Sequence, residues 1–226
     1  MTRLRNQRPF KSADRPGRNP VLAALGPLLP AIGLGAIFLV CAVVAILTTR
    51  ANAGIALLWP GNAIVAALLI RMRHVRWSAT AVAIFVAGAC ANRLLGHDAS
   101  QVAIALTAVN MVEIAAMVYV FRVAIPLPFP KLTILQAAYM TLIMGILIPG
   151  ATALLGGAVL HVMNDVPLWD TAQHWWASDA LGACLLAPPI ILYSKPNLQR
   201  LLRPQFFWQN LLMLPMCMVA TYLAVR

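Results

Sequence analysis

From position 21 to 47 the chain reads VLAALGPLLPAIGLGAIFLVCAVVAIL, without one charged side chain. A helix rises about 1.5 Å per residue, so about 20 such residues cross the roughly 30 Å hydrocarbon layer of a bilayer. Further apolar runs follow at 53–70, 77–95, 102–121, 135–161, 173–193 and 206–225. In lipid the backbone must satisfy its own hydrogen bonds, so runs of this length cross as helices. The expected fold is all-α: a polytopic transmembrane helix bundle of seven spans over 21–226, behind a solvated basic tail at 1–20. The first run is too long for the apolar core of a signal peptide, about 7–15 residues, so it reads as an uncleaved helix. Composition agrees, with 62% hydrophobic and 10% charged residues and a mean hydropathy of +0.82. An ordinary soluble domain carries roughly 25% charged residues.

The net charge of +11 would suggest nucleic acid in a soluble protein. Here no nucleic-acid partner is expected, because the basic residues sit in loops where membrane topology explains them. The tail carries six (Arg3, Arg5, Arg8, Lys11, Arg15, Arg18), the 71–76 turn three, the 122–133 loop two and the 194–205 loop three. On the opposite side the 48–52 turn has only Arg50, and the 96–101 and 162–172 loops have no Lys or Arg. Lysine and arginine concentrate on the cytoplasmic side, so the tail is expected inside a bacterial inner membrane. An odd number of spans leaves the C-terminus outside, next to Arg226, which reads as though a last helix were missing.

Within the apolar runs a small polar set stands out: Trp59, Asn62, Arg93, Asn110, Glu113, Trp176 and Asp179. Glu113 and Asp179 are the only acids inside spans, and a carboxylate at the bilayer centre costs roughly 3 kcal/mol on insertion scales. Such a group faces the bundle interior and takes a partner, with Arg93 expected within reach of the acids or asparagines. Trp175 lies four and Trp176 three residues before Asp179, so all three share a helix face, as do Asn110 and Glu113, three apart. Counting rise along each span puts Asp179 roughly 9 Å, and Asn62 and Asn110 roughly 12–14 Å, below the outer boundary. The set thus reads as an outer-half pocket for a periplasmic or membrane cue, spread over several helices. Pro60-Gly61 and Pro149-Gly150 are candidate helix-breaking hinges.

No catalytic or metal-binding constellation is legible. His74, His97, His161 and His174 show no ligand spacing, and Cys41, Cys90, Cys184 and Cys217 lie singly in apolar runs. There is no phosphate-binding glycine loop, HExxH motif or nucleophile elbow, and no cofactor is implied.

Three pieces in order carry a family likeness: WPGNAIVAALLIR at 59–71, N-x-x-E at 110–113, and WW-x-x-D-x-L-G at 175–182 before Pro188-Pro189. Together they resemble the first-described class of bacterial membrane-associated sensor domains, the MASE type, over about 21–226. The resemblance implies an N-terminal sensory bundle, usually of eight helices, ahead of a cytoplasmic effector. In such proteins the effector is a histidine kinase of a two-component system, or a diguanylate cyclase or phosphodiesterase that turns over cyclic di-GMP. It implies that an eighth helix and the effector lie beyond this chain, and that homodimers form through the effector. The bilayer and an unidentified small-molecule or membrane cue are the other expected partners. A small-solute transporter or channel is the competing reading, since intramembrane acids and broken helices also serve transport. Against it, the two halves show no internal repeat.

The charge pattern makes a direct prediction. Reporter fusions are expected to place 1–20, 71–76, 122–133 and 194–205 in the cytoplasm and 162–172 outside. A 122–133 loop that reports outside would overturn the span count.

Overall fold

Every described residue outside short turns is helical. The computed structural model describes residues 26, 28–49, 58–72, 75–124 and 134–192, and no strand occurs among them. The helices are α1 (Leu29–Thr49), α2 (Pro60–Arg71), α3 (Trp77–Leu94), α4 (Ser100–Ala124), α5 (Ile134–Met140), α6 (Ile148–Asn164) and α7 (Leu168–Leu192). A π-helical segment, Thr141–Leu147, joins α5 to α6, so that 134–164 forms one rod.

Four stretches are long and apolar enough to cross a membrane: Leu29–Thr48, Trp77–Leu94, Ser100–Ala124 and Ala138–Asn164. Two expected spans differ from this pattern. Helix α2 has 12 residues, about 18 Å at the helical rise, well short of a bilayer. Helix α7 has 25 residues and is long enough, but its first half holds Asp170, Gln173, His174 and Asp179. The expected seventh span at 206–225, the tail at 1–20, and the 194–205 loop lie outside the described residues.

The layout explains why α2 can be short. Helices α1, α3, α4, α6 and α7 pack successively on one another in the order α1–α3–α4–α6–α7, except that α2 fills the middle and touches α1, α4 and α7. Eight of its residues are buried, from Gly61 to Ile70. Its apolar side chains, with Phe38, Met117, Phe121 and Ile191, form the main core. The outer faces of the long helices are apolar too, as Val40, Val82, Val86, Ile104 and Val112 show, each more than half exposed. Polar side chains turn inward instead, among them Asn62, Asn92, Thr107, Asn110, Glu113, Thr152 and Asp179. Apolar outside and polar inside is what lipid as solvent demands.

Both proline pairs singled out in the sequence mark helix boundaries of a kind. Pro60 sits in the first turn of α2, where its missing N–H breaks no bond, so it starts the helix and does not bend it. Pro149 lies in the first turn of α6, directly after the π-helical segment. There the Ile148 N–H reaches back to the Ile143 carbonyl, a five-residue step. That wider turn takes up the register change next to a residue that cannot donate. Two arginines close helix ends. Arg122 donates to the Leu69 and Met72 carbonyls at the end of α2, at 2.7 and 2.8 Å, and lies over the Trp77 ring. Arg71 donates to Ile190 and Ile191, at 3.2 and 3.0 Å, in the last turn of α7. Orphaned carbonyls at a helix C-terminus attract such cations.

Helices α2 and α7 approach closely at Gly182, where a Cβ would stand 2.7 Å from the Trp59 carbonyl oxygen. Gly182→Ala is therefore expected to destabilise the bundle by about 1–3 kcal/mol. Gly33→Ala, where nothing lies within 4 Å of the added methyl, is expected to cost nothing measurable. Thermal unfolding of the two variants in the same detergent checks the contrast.

Candidate functional site

Asn62, in the first turn of α2, gathers polar groups from α4 and from the residue that precedes its own helix. Its Nδ2 donates to Asn110 Oδ1 at 3.0 Å and to Glu113 Oε2 at 3.1 Å, both on α4. Its Oδ1 accepts from Trp59 Nε1 at 3.2 Å. This arrangement fixes the amide orientation, because two acceptors face the NH₂ and a donor faces the oxygen. Thr152 on α6 adds a further donor to Glu113 Oε2 at 3.0 Å. On α7, Trp175 Nε1 donates to Asp179 Oδ2 at 2.7 Å. The Asp179 carboxyl lies within hydrogen-bonding reach of Glu113. Four helices thus converge on two carboxyl groups.

Local sequence accounts for each placement. Asn110 and Glu113 are i and i+3 on α4, so one face presents both. Trp175 and Asp179 are i and i+4 on α7, which lets the indole fold back over the carboxylate. Trp175 is held down by Gly156 of α6: a Cβ there would fall inside the contact distance of the indole ring. Asn62, Asn110, Glu113, Thr152 and Asp179 are each at most 3% exposed. The donors to the two carboxyls among the described residues are Asn62, Thr152 and Trp175, none of them a cation.

Four of the residues expected to form a pocket meet directly in this cluster, namely Asn62, Asn110, Glu113 and Asp179, with Trp59 completing it through Asn62. Two expected members do not join. Arg93 is exposed on α3 and takes no part in the cluster's hydrogen bonds, contrary to the expected pairing with the acids. The reason is one of phase. Asn92 points inward, 6% exposed and 3.4 Å from Thr107, and the next residue lies a further 100° round the helix. Trp176 is 40% exposed and donates to the Ile146 carbonyl at 3.1 Å, so it ties α7 to the π-helical segment instead. Its neighbour Trp175 is the indole that reaches Asp179. Thr152 gave no sign in the sequence beyond its place three residues after Pro149, because a threonine hydroxyl in an apolar run usually bonds its own helix. It does that too, lying 3.1 Å from the Ile148 and 3.2 Å from the Pro149 carbonyl.

Chemically the cluster has acceptors in excess and only neutral donors. No group of three or more His, Cys, Asp or Glu side chains able to hold a metal occurs among the described residues. Two histidines bond to backbone, His161 of α6 to Val166 at 2.8 Å and His174 of α7 to Asp170 at 2.7 Å. The site is suited to answering a change of charge or hydrogen bonding, since altering any member leaves buried partners unsatisfied.

Asn62→Ala tests that dependence. It strands Trp59 Nε1 and removes a donor from both Asn110 and Glu113, and each stranded buried group costs about 1–3 kcal/mol. Asn92→Ala loses one long bond to Thr107, which keeps its own 2.7 Å bond to Ala103, so the cost is nearer the roughly 0.6 kcal/mol average for membrane hydrogen bonds. Denaturation in mixed micelles is expected to rank Asn62→Ala well below Asn92→Ala. Equal losses would contradict the network.

Comparison with known proteins adds a single finding. The MASE1 family model matches residues 30–225. No curated protein and no solved structure matches the chain.

Proposed function

The chain belongs to the MASE1 family of membrane-associated sensory domains found in signalling proteins, and from that premise we propose that its buried polar cluster is the sensing element. The observation that carries the reading is the pair of acids, Glu113 and Asp179, 0% and 2% exposed and tied to four helices with no cation bonded to them among the described residues. A purely structural network gains little from two acids where neutral groups would bond as well. A cue that changes the charge or hydrogen bonding of this pair has differential affinity for the packings of α2, α4, α6 and α7. Only such a difference lets a ligand move a conformational equilibrium.

The cue reaches the cluster from the outer side, where Trp59 and Trp175 cover it. Its effect travels down α7, whose last turn is tied to α2 by Arg71. The output belongs to a histidine kinase or to an enzyme of cyclic di-GMP turnover carried by the same signalling protein. Against the transporter reading, the carboxyl pair and the asparagines are buried among helices.

Asp179→Asn separates a sensing role from a structural one. Asparagine keeps an acceptor for Trp175 and gains an NH₂ facing Glu113, so the bundle is expected to remain inserted with a melting temperature close to wild type. The output of a full-length signalling fusion is expected to change in level or in response. Unchanged output together with collapsed stability would overturn the sensing role.

A further inference from the structure

One buried atom of the cluster has no donor. Glu113 Oε2 accepts from Asn62 and Thr152, whereas Glu113 Oε1 is buried without a hydrogen-bond partner. Asp179 is the neighbour within reach, and its Oδ2 already accepts from Trp175. Two ionised carboxylates possess no proton to share, so their contact becomes a hydrogen bond only when a proton is supplied. Among the described residues nothing nearby replaces it. The groups facing the pair are Asn62 from α2, Asn110 from α4, Thr152 from α6 and Trp175 from α7, all of them neutral. Among the described residues, Arg71 meets carbonyls of α7 and Arg122 those at the end of α2, His161 and His174 meet the Val166 and Asp170 carbonyls, and Arg93 is exposed on α3.

Thr152 supplies the second half of the argument. Its hydroxyl has one proton and three acceptors, namely Glu113 Oε2 at 3.0 Å, the Ile148 carbonyl at 3.1 Å and the Pro149 carbonyl at 3.2 Å. A hydroxyl donates to one of them at a time. A charged carboxylate is the strongest acceptor of the three and loses that advantage when its charge is shared with a proton. The two carbonyls belong to the first turn of α6, next to the π-helical segment and to a proline without an N–H.

Resting on the sensory reading of this site, we propose that its ligand is a hydrogen ion held between Glu113 and Asp179, and that Thr152 passes the binding on to the Pro149 turn. On binding, one O–H bond forms on a carboxylate oxygen, a hydronium ion from the aqueous phase becomes water, and the pair goes from two negative charges to one. The Thr152 hydroxyl then turns from Glu113 to the α6 carbonyls. On release the two carboxylates repel, and the helices that carry them, α4 and α7, separate at the cluster.

The test uses the 226-residue chain in vesicles of phosphatidylethanolamine and phosphatidylglycerol, followed by infrared difference spectroscopy against pH. A protonated-carboxyl C=O band is expected that shifts in heavy water, titrates in a single step, and is absent from the Glu113→Gln/Asp179→Asn double variant. Should the double variant fail to fold, Asp179→Asn alone is expected to move the titration midpoint by about tenfold or more in proton concentration, the effect of removing a neighbouring like charge. Thr152→Val is expected to keep the titrating band while the output of a full-length fusion stops following pH. A band that persists in the double variant, no band at any pH, or a response that follows sodium at fixed pH would each overturn the proposal. If the band is absent yet Asp179→Asn still changes output, the proton is wrong and the sensory role stands. If output is indifferent to Asp179→Asn as well, both fall.

Discussion

The side-chain amide of Asn62 is the joint on which the interior depends. One group donates twice and accepts once, linking α2 to Trp59 at its own entrance and to both Asn110 and Glu113 on α4. In a hydrocarbon interior an unmet polar atom has no water to turn to. Asn62 therefore sets the rotation of α2 about its axis, since turning the helix by one residue would strand three partners. With α2 fixed, its other faces decide where α1 and α7 can approach.

That central position changes what α2 has to be. A helix wrapped by others needs no lipid-crossing length, and 12 residues suffice because α1, α4 and α7 pack round its sides. Its last carbonyls are met by Arg122 and its own Arg71 meets those of α7. Both ends of the short helix are thus fastened by side chains, the upper one through Asn62 and the lower one through arginines. Small residues permit the remaining closeness, as at Gly182 against the Trp59 carbonyl and Gly156 beneath the Trp175 indole.

Functional interest concentrates where the rod from Ile134 to Asn164 departs from regular helix. The π-helical segment, Pro149 and Thr152 follow one another there, and Trp176 and Cys184 of α7 pack against the same stretch. Such π-turns inside α-helices occur mostly as local departures at functional sites and kinks. The carboxyl pair lies against this place through the Thr152 hydroxyl, so charge at Glu113 and backbone register at Pro149 are physically adjacent. Sensing by repacking needs a bistable element beside the site.

Much of this was legible in the sequence, because the bilayer is a demanding solvent. Apolar runs gave helices at 77–94, 100–124 and 134–164 within a few residues of expectation, and the two intramembrane acids announced the site. Helical spacing alone paired Asn110 with Glu113 and Trp175 with Asp179. What spacing along one helix does not contain is the rotation of that helix against its neighbours. This is why Arg93, one residue past an inward-facing asparagine, was expected inside and stands outside, and why spacing set Trp176 on the Asp179 face beside Trp175 although only Trp175 reaches the carboxyl. It is also why Thr152 passed unseen and why α2, apolar like a span, proved to be a short central helix. The sequence determined that the chain is helical, membrane-embedded and polar within, through hydrophobic length and the cost of buried charge. Only the tertiary structure decided which polar atoms meet, because that depends on angles between helices that no single run of residues records.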